Sequence, residues 1–325
     1  MTALAVNGIT KRYENHLAVD NISFAVSKGS IYGLLGPNGA GKTTSIRMIL
    51  NILKPDSGSI SILDQPPGPG IIDRIGYLPE ERGLYPKMKT LDHLMFLGEI
   101  KGVPRPLLAG RVADWMKRFE LTDWKDKKVE ELSKGMQQKL QFIGTVLHEP
   151  SILILDEPFS GLDPVNTSRF KDVILELNGK GTTVIFSTHV MEQVERMCQS
   201  ICLLNKARIV VEGKLNEIKK RYGVNSAVVE FSGDGRFLAS LPQVLNADLQ
   251  GNYAELRLKE GSSPDALLQA IVGRVEIRRF EMMEPTLNSI FIDLVEGGQE
   301  AKHEPARAAA PAVGGASAAG EEAHV

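Results

Sequence analysis

The segment Gly36-Pro37-Asn38-Gly39-Ala40-Gly41-Lys42-Thr43 fits the pattern G-x-x-x-x-G-K-[ST] and constrains this chain more than any other feature. Such a loop needs a buried strand before it and a helix after it. Both are present. Ser30-Ile31-Tyr32-Gly33-Leu34-Leu35 is a short apolar run that ends at the glycine and reads as a buried strand. Residues 44–53 place Ile46, Ile49, Leu50 and Leu53 on one helical face, and Lys54-Pro55-Asp56-Ser57-Gly58 stops the pattern. Glycines let the backbone turn its N–H groups inward around a phosphate. The helix N-terminus adds partial positive charge. Lys42 is suited to the β- and γ-phosphates, and the Thr43 hydroxyl to Mg²⁺. Gly36 to Thr44 is therefore the expected phosphate-binding loop.

A second strand ends in acid: Ile152-Leu153-Ile154-Leu155-Asp156-Glu157. Ligands of open α/β sheets bind at the carboxyl ends of the strands. Asp156 is the expected Mg²⁺ holder and Glu157 the expected general base. Residues 182–187 form a third strand, and helical patterns lie between the strands, as in a parallel α/β sheet. Residues of about 87–147 are mostly helical in pattern. Leu91, Leu94 and Met95 form one apolar face there, and Val112, Trp115, Met116 and Phe119 another.

Composition narrows the class. The 325 residues are 42% hydrophobic and 24% charged, with 38 Lys+Arg against 40 Asp+Glu for a net charge of −2. A nucleic-acid binder usually carries a basic footprint, so nucleic acid is not an expected partner. The 2 cysteines, Cys198 and Cys202, cannot make a disulfide scaffold and point to a reducing compartment. Their spacing reads as a helical pair of core thiols. No run approaches the ~18 consecutive apolar residues of a membrane span, and the N-terminus lacks a basic region followed by a long apolar core, so it is not a secretory signal. From Gly297 onward there is no aromatic residue and no Leu, Ile or Met, so residues 297–325 read as a disordered tail. A helical patch at 306–312 is the alternative, opposed by Pro305 and Pro311.

Three further segments carry a family resemblance. Leu132-Ser133-Lys134-Gly135-Met136-Gln137 precedes the acidic strand, Ser160-Gly161-Leu162-Asp163 follows it, and Ser187-Thr188-His189 comes later. In this order the motifs resemble the ATP-binding subunit of an ATP-binding cassette (ABC) transporter. The resemblance covers residues 1 to about 220. It is strongest to the bacterial ABC-2 type export ATPases, including the sodium-exporter-like group, which carry a small C-terminal domain. The resemblance implies a P-loop α/β core with an inserted helical subdomain. It implies ATPase activity in a head-to-tail dimer, with ATP and Mg²⁺, powering export through separate transmembrane permease subunits. The second ATP-binding subunit is either an identical or a different chain. The place implied is the cytoplasmic face of the cell membrane. The competing readings are a soluble non-transport ABC ATPase and an ATP-binding regulator with little turnover.

The resemblance also assigns residues. Tyr13 falls where the family places an aromatic under adenine. Ser133 and Gly135 match the signature that covers the γ-phosphate from the opposite subunit. Ser133 independently reads as the N-cap of a helix over 135–147, which makes that end an anion site. Asp163 matches the turn that links the two sites, and His189 the switch histidine. Two positions depart from the family pattern. Lys134 and Met136 replace a Gly and a Gln in the signature, and Glu80 of Gly76-Tyr77-Leu78-Pro79-Glu80 stands where Gln is common. Glu80 can still ligate Mg²⁺ as a hard-oxygen donor, and its charge makes turnover more dependent on Mg²⁺ than Gln would. The loop Glu80-Glu81-Arg82-Gly83 is read as a surface facing the partner subunit or as an ordinary turn. Lys219-Lys220-Arg221 reads as a solvated helix end.

The expected organisation is an ABC ATP-binding domain over 1–222, an α+β accessory domain over 223–296, and the tail. In the accessory region, residues 227–231 suit a strand and 253–259 alternate with period two. Residues 264–272 suit a helix and 275–277 a strand. Pro285 opens a last helix with Leu287, Ile290, Phe291 and Leu294 on one face. No catalytic constellation is found there, and a regulatory or dimer-supporting role is expected.

Overall fold

The computed structural model describes residues 1–81, 83–222, 226–259, 261–283 and 285–296. The expected tail at 297–325 and Arg82 of the loop that follows Glu80 lie outside the described residues.

The chain opens with two long strands, β1 (Thr2–Tyr13) and β2 (His16–Ser27), joined by a tight turn. The buried strand before the phosphate loop is β3 (Ile31–Leu35), and the helix after it is α1 (Lys42–Ile49). α1 ends earlier than the periodicity suggests. Leu50 caps it and Asn51 takes the left-handed conformation at φ 57, with Ile52 N–H bonding back to Arg47 O at 2.9 Å. Asn tolerates that conformation better than most residues, and it closes the helix before the Pro signal is reached.

Next come β4 (Ser57–Ile62), α2 (Pro69–Ile72) and β5 (Ile75–Leu78). The helical region comprises α3 (Thr90–Ile100), α4 (Arg105–Arg118) and α5 (Lys134–Val146). β6 (Ile152–Asp156), α6 (Pro164–Gly179), β7 (Thr183–Thr188), α7 (Met191–Met197), β8 (Ser200–Asn205), β9 (Arg208–Lys214) and α8 (Leu215–Arg221) follow. The remainder is β10 (Ser226–Ser232), β11 (Val244–Gln250), β12 (Tyr253–Leu258), α9 (Pro264–Ile271), β13 (Glu276–Met283) and α10 (Leu287–Glu296).

The strands form three sheets. The central six-stranded sheet has the order β5-β6-β7-β3-β8-β9, parallel except for β9 at its edge. β3, β6 and β7 are buried at every position, as expected for parallel strands covered on both faces. A second sheet, β2-β1-β4, is antiparallel, and its inward residues Val6, Ile22 and Phe24 join Tyr32 and Leu34 in one core. On the opposite face of the central sheet, Phe119, Phe142 and Phe170 meet at ring distances of 5.0 to 5.7 Å. They weld α4, α5 and α6 together, each buried ring contributing about 2–3 kcal/mol.

The third sheet, β11-β12-β10-β13, is antiparallel. α9 covers one of its faces, and Val229, Phe231, Leu256 and Leu267 are part of a core of its own. α10 does not belong to that core. Its Leu287 and Ile290 are buried in the same cluster as Val194 and Met197 of α7. The cysteines also differ from a helical pair: Cys198 caps α7 and Cys202 lies on β8. Both are free and buried. Burial pushes the Cys198 thiol well above its ordinary range. Among the described residues, no helix is long and apolar enough to cross a membrane.

Candidate functional site

The carboxyl ends of β3, β6 and β7 converge, and a cavity of about 290 Å³ opens over them. It is lined by the loop residues Asn38, Gly39 and Gly41, by Lys42, Thr43 and Thr44, and by Tyr13, Glu80, Asp156 and Glu157. Two glycines are dictated by close packing. Gly36 has φ +145, and a Cβ there would sit 2.3 Å from the Leu204 carbonyl oxygen; Gly41 has φ +105, and its Cβ would sit 2.5 Å from the Ala18 carbonyl oxygen. Any side chain would push the loop off the β2 and β8 backbones. Gly41 is also the N-cap of α1, and no side chain caps that end. The first-turn N–H groups have no partner within the helix and carry the positive end of its dipole.

Lys42 is buried in the loop, with Nζ donating to Gly36 O at 2.8 Å and to Pro37 O at 3.2 Å. Its ammonium lies 4.0 Å from Glu157 Oε1. Burial lowers its pKa, against the opposing pull of Glu157, Asp156 and Glu80. Thr43 donates to Asp156 Oδ2 at 2.9 Å, and Ser187 at the end of β7 donates to Asp156 Oδ1. A hydroxyl and a carboxylate held together at the mouth of a phosphate loop form a hard-oxygen pair, the chemistry Mg²⁺ requires. The residues fit that ion.

Glu157 is only 8% exposed and takes φ 49, an uncommon conformation for a residue other than glycine. Its backbone N–H bonds to Ser187 O at 3.0 Å, and Thr188 donates to Oε2 at 3.2 Å. His189 Nδ1 lies 2.9 Å from Oε1. The turn thus stores strain to aim a buried carboxylate at the cavity.

The other motif residues lie away from this cavity. Ser133 is exposed and caps α5, accepting from Met136 N–H at 3.3 Å. Gly135 follows in the first turn, half-buried, with open space where a Cβ would stand. Asp163 is exposed and caps α6, accepting from Asn166 N–H at 2.9 Å. Those hydrogen bonds from Asn166 hold its carboxyl below the usual range. Tyr13 ends β1 at the cavity rim, 42% exposed. His16 and Ala18 of β2 also line the cavity. The tight β1–β2 turn brings them there, and no motif in the sequence marks them.

Comparison with known proteins bears on this geometry. A family model described as "ABC transporter" matches residues 19–160, and one described as "ATP-binding protein DrrA1-3-like, C-terminal domain" matches residues 213–295. The ABC transporter ATP-binding protein YhaQ of Bacillus subtilis (strain 168) is 44% identical over 292 residues, which is 90% of this chain and 98% of that protein. The Nod factor export ATP-binding protein I of Cupriavidus metallidurans is 35% identical, over 90% of this chain and 98% of that protein. A solved structure of the ATP-binding subunit of an ABC transporter superposes with a TM-score of 0.64 at 30% identity. It covers 68% of this chain and 93% of its own.

Proposed function

The chain belongs to the ABC transporter ATP-binding family, and from that premise we propose that it drives export through separate membrane subunits, working as a head-to-tail pair. It binds ATP and hydrolyses it to ADP and phosphate to power transport. Export follows the relatives: the protein from C. metallidurans is named for Nod factor export. The single observation that carries the site reading is the juxtaposition of loop, Asp156 and Glu157 around one cavity, with His189 bonded to Glu157.

In this reading the first-turn N–H groups of α1 and Lys42 grip the β- and γ-phosphates. Tyr13 stacks under adenine from the rim. Thr43, Asp156 and Glu80 hold Mg²⁺, which when bound neutralises charge on the phosphate oxygens. Glu157 takes the proton of the attacking water, and its burial and fixed turn keep it aimed. His189 orients that water and touches the γ-phosphate. Ser133 and Gly135 of the second copy supply a hydroxyl and a helix N-terminus to the far side of the γ-phosphate. Asp163 links the two centres.

An apolar groove of about 330 Å³ borders the strand that leads to Glu80 and includes Ile52, Leu84, Leu97 and Ile100 in its lining. Exposed Tyr85 belongs to the same region of the chain. This surface supports docking of a membrane subunit, and we propose with it a place on the cytoplasmic face of the membrane. We also propose a boundary near residue 222. The separate core of the third sheet supports it, although the C-terminal family match begins earlier, within β9.

The test is phosphate release by the purified chain. Lys42→Ala and Glu157→Gln are expected to lower it by about a hundredfold or more, the usual scale for a lost general base or charge clamp. Turnover by Glu157→Gln within tenfold of the parent would overturn the assignment.

A further inference from the structure

α7 has seven residues, too few to hold a helix by itself, so its place is set by what packs on it. His189 and Val190 lead directly into it. Its N-cap, Val190, is bonded to the site: Thr188 Oγ1 accepts from Val190 N–H at 3.1 Å while donating to Glu157 Oε2. One side of α7 presses Val194 and Met197 into the main core, and Leu287 and Ile290 of α10 enter that same cluster. Glu195 makes the polar tie. Its Oε1 accepts the Leu287 N–H at 2.5 Å and lies 3.2 Å from Lys219 Nζ of α8. That N–H opens α10 and has no partner within the helix, and a carboxylate there is favoured by the helix dipole. α10 in turn faces the third sheet, where its Ile292 and Asp293 line one small cavity with Arg257 of β12 and Asn246 of β11.

We infer that Glu195 is a positioning residue for hydrolysis: through it, α10 and the accessory sheet hold α7, and thereby His189, in register with Glu157. The contacts form one continuous path, β12 to α10 to Glu195 to α7 to His189, and coupling travels along such packed paths. Small displacements at a reacting centre have large effects on rate. The accessory region therefore has a direct polar route to the residues that set the rate of hydrolysis. This inference rests on the roles given above to Glu157 and His189.

The experiment uses the full chain, with phosphate release for turnover and a fluorescent ATP analogue for affinity. Glu195→Ala is expected to lower kcat about fivefold or more, the scale of ordinary site-to-site coupling, with analogue affinity changed less than about twofold. Glu195→Gln keeps an oxygen for the Leu287 N–H and is expected to retain at least about half of kcat. Amide exchange at α10 reports whether docking is loosened. Unchanged kcat in Glu195→Ala with α10 loosened would overturn the inference, as would an equal loss of kcat and affinity in both variants. Glu157→Gln is measured beside them. If it loses turnover while Glu195→Ala does not, only the positioning role falls. If Glu157→Gln keeps turnover, the site reading falls and the positioning role with it.

Discussion

Asp156 and Glu157 are 1% and 8% exposed, and every one of their carboxylate oxygens has a partner within the chain. Ser133 and Asp163 are exposed and, among the described residues, bond to the first turns of their own helices. The two sets belong to one reaction in the proposed mechanism, yet they are built in opposite ways. The first is preorganised by burial, because a base and a metal ligand must be held still in a dry site. The second presents helix N-termini to solvent, where only another surface can use them. In the proposed mechanism, the contrast means that one copy completes the chemistry-bearing half by itself and the closing half comes from a partner.

The supports beneath the two halves differ as well, and acid should separate them. His93 of α3 is 0% exposed, and neither ring nitrogen has a hydrogen-bond partner among the described residues. Burial lowers its pKa to about 4. The unfolded chain, with a histidine pKa near 6.5, binds more protons between pH 6.5 and 4. The stability associated with neutral His93 is therefore complete above about pH 6.5 and is lost as pH falls through that window, by up to about 3 kcal/mol. Denaturant melts from pH 7 to 4 should show this loss, and His93→Leu should reduce it, leaving the contribution of His148, whose pKa burial also lowers to about 4. Equal pH dependence in both proteins would break the link to the helical region.

A smaller effect sharpens the comparison at Ser133. Ser133→Ala should cost about 1 kcal/mol of stability through the lost cap. Turnover should fall about tenfold, as a lost charge-stabilising hydrogen bond implies. ATP binding to the separate chain should be unchanged. Weaker binding in the isolated copy would mean that Ser133 acts within its own chain. The smallest effect is expected at Glu80. Glu80→Gln removes one negative charge beside Lys42 and Asp156, so turnover at low Mg²⁺ should become a few-fold less sensitive to the metal. An identical Mg²⁺ profile would remove Glu80 from the metal site.

What the sequence reveals follows the range of the interactions. The phosphate loop with its flanking strand and helix, the acidic end of β6, and the cap at Ser133 are each encoded within a few neighbouring residues. They can be read without knowing the fold. The β2-β1-β4 sheet is not legible that way, since β1 pairs with β4 across the whole of β3 and α1. β11 carries mostly exposed residues and is a strand only because β12 pairs with it. The apolar face of α10 is visible in the sequence, but its burial against α7 rather than the neighbouring sheet depends on tertiary packing. His16 reaches the cavity through the β1–β2 turn, and no local pattern announces it. Cys198 and Cys202 are spaced as on a helix, but the helix ends at Met197 and Cys202 lies on the next strand.

The central claim is that the two halves meet across two copies. A structure of the Glu157→Gln chain trapped with ATP and Mg²⁺ tests it directly. The account predicts a pair of chains in which each nucleotide lies between Lys42 of one copy and Ser133 of the other. Trapped states in which Ser133 stays far from every phosphate would contradict it.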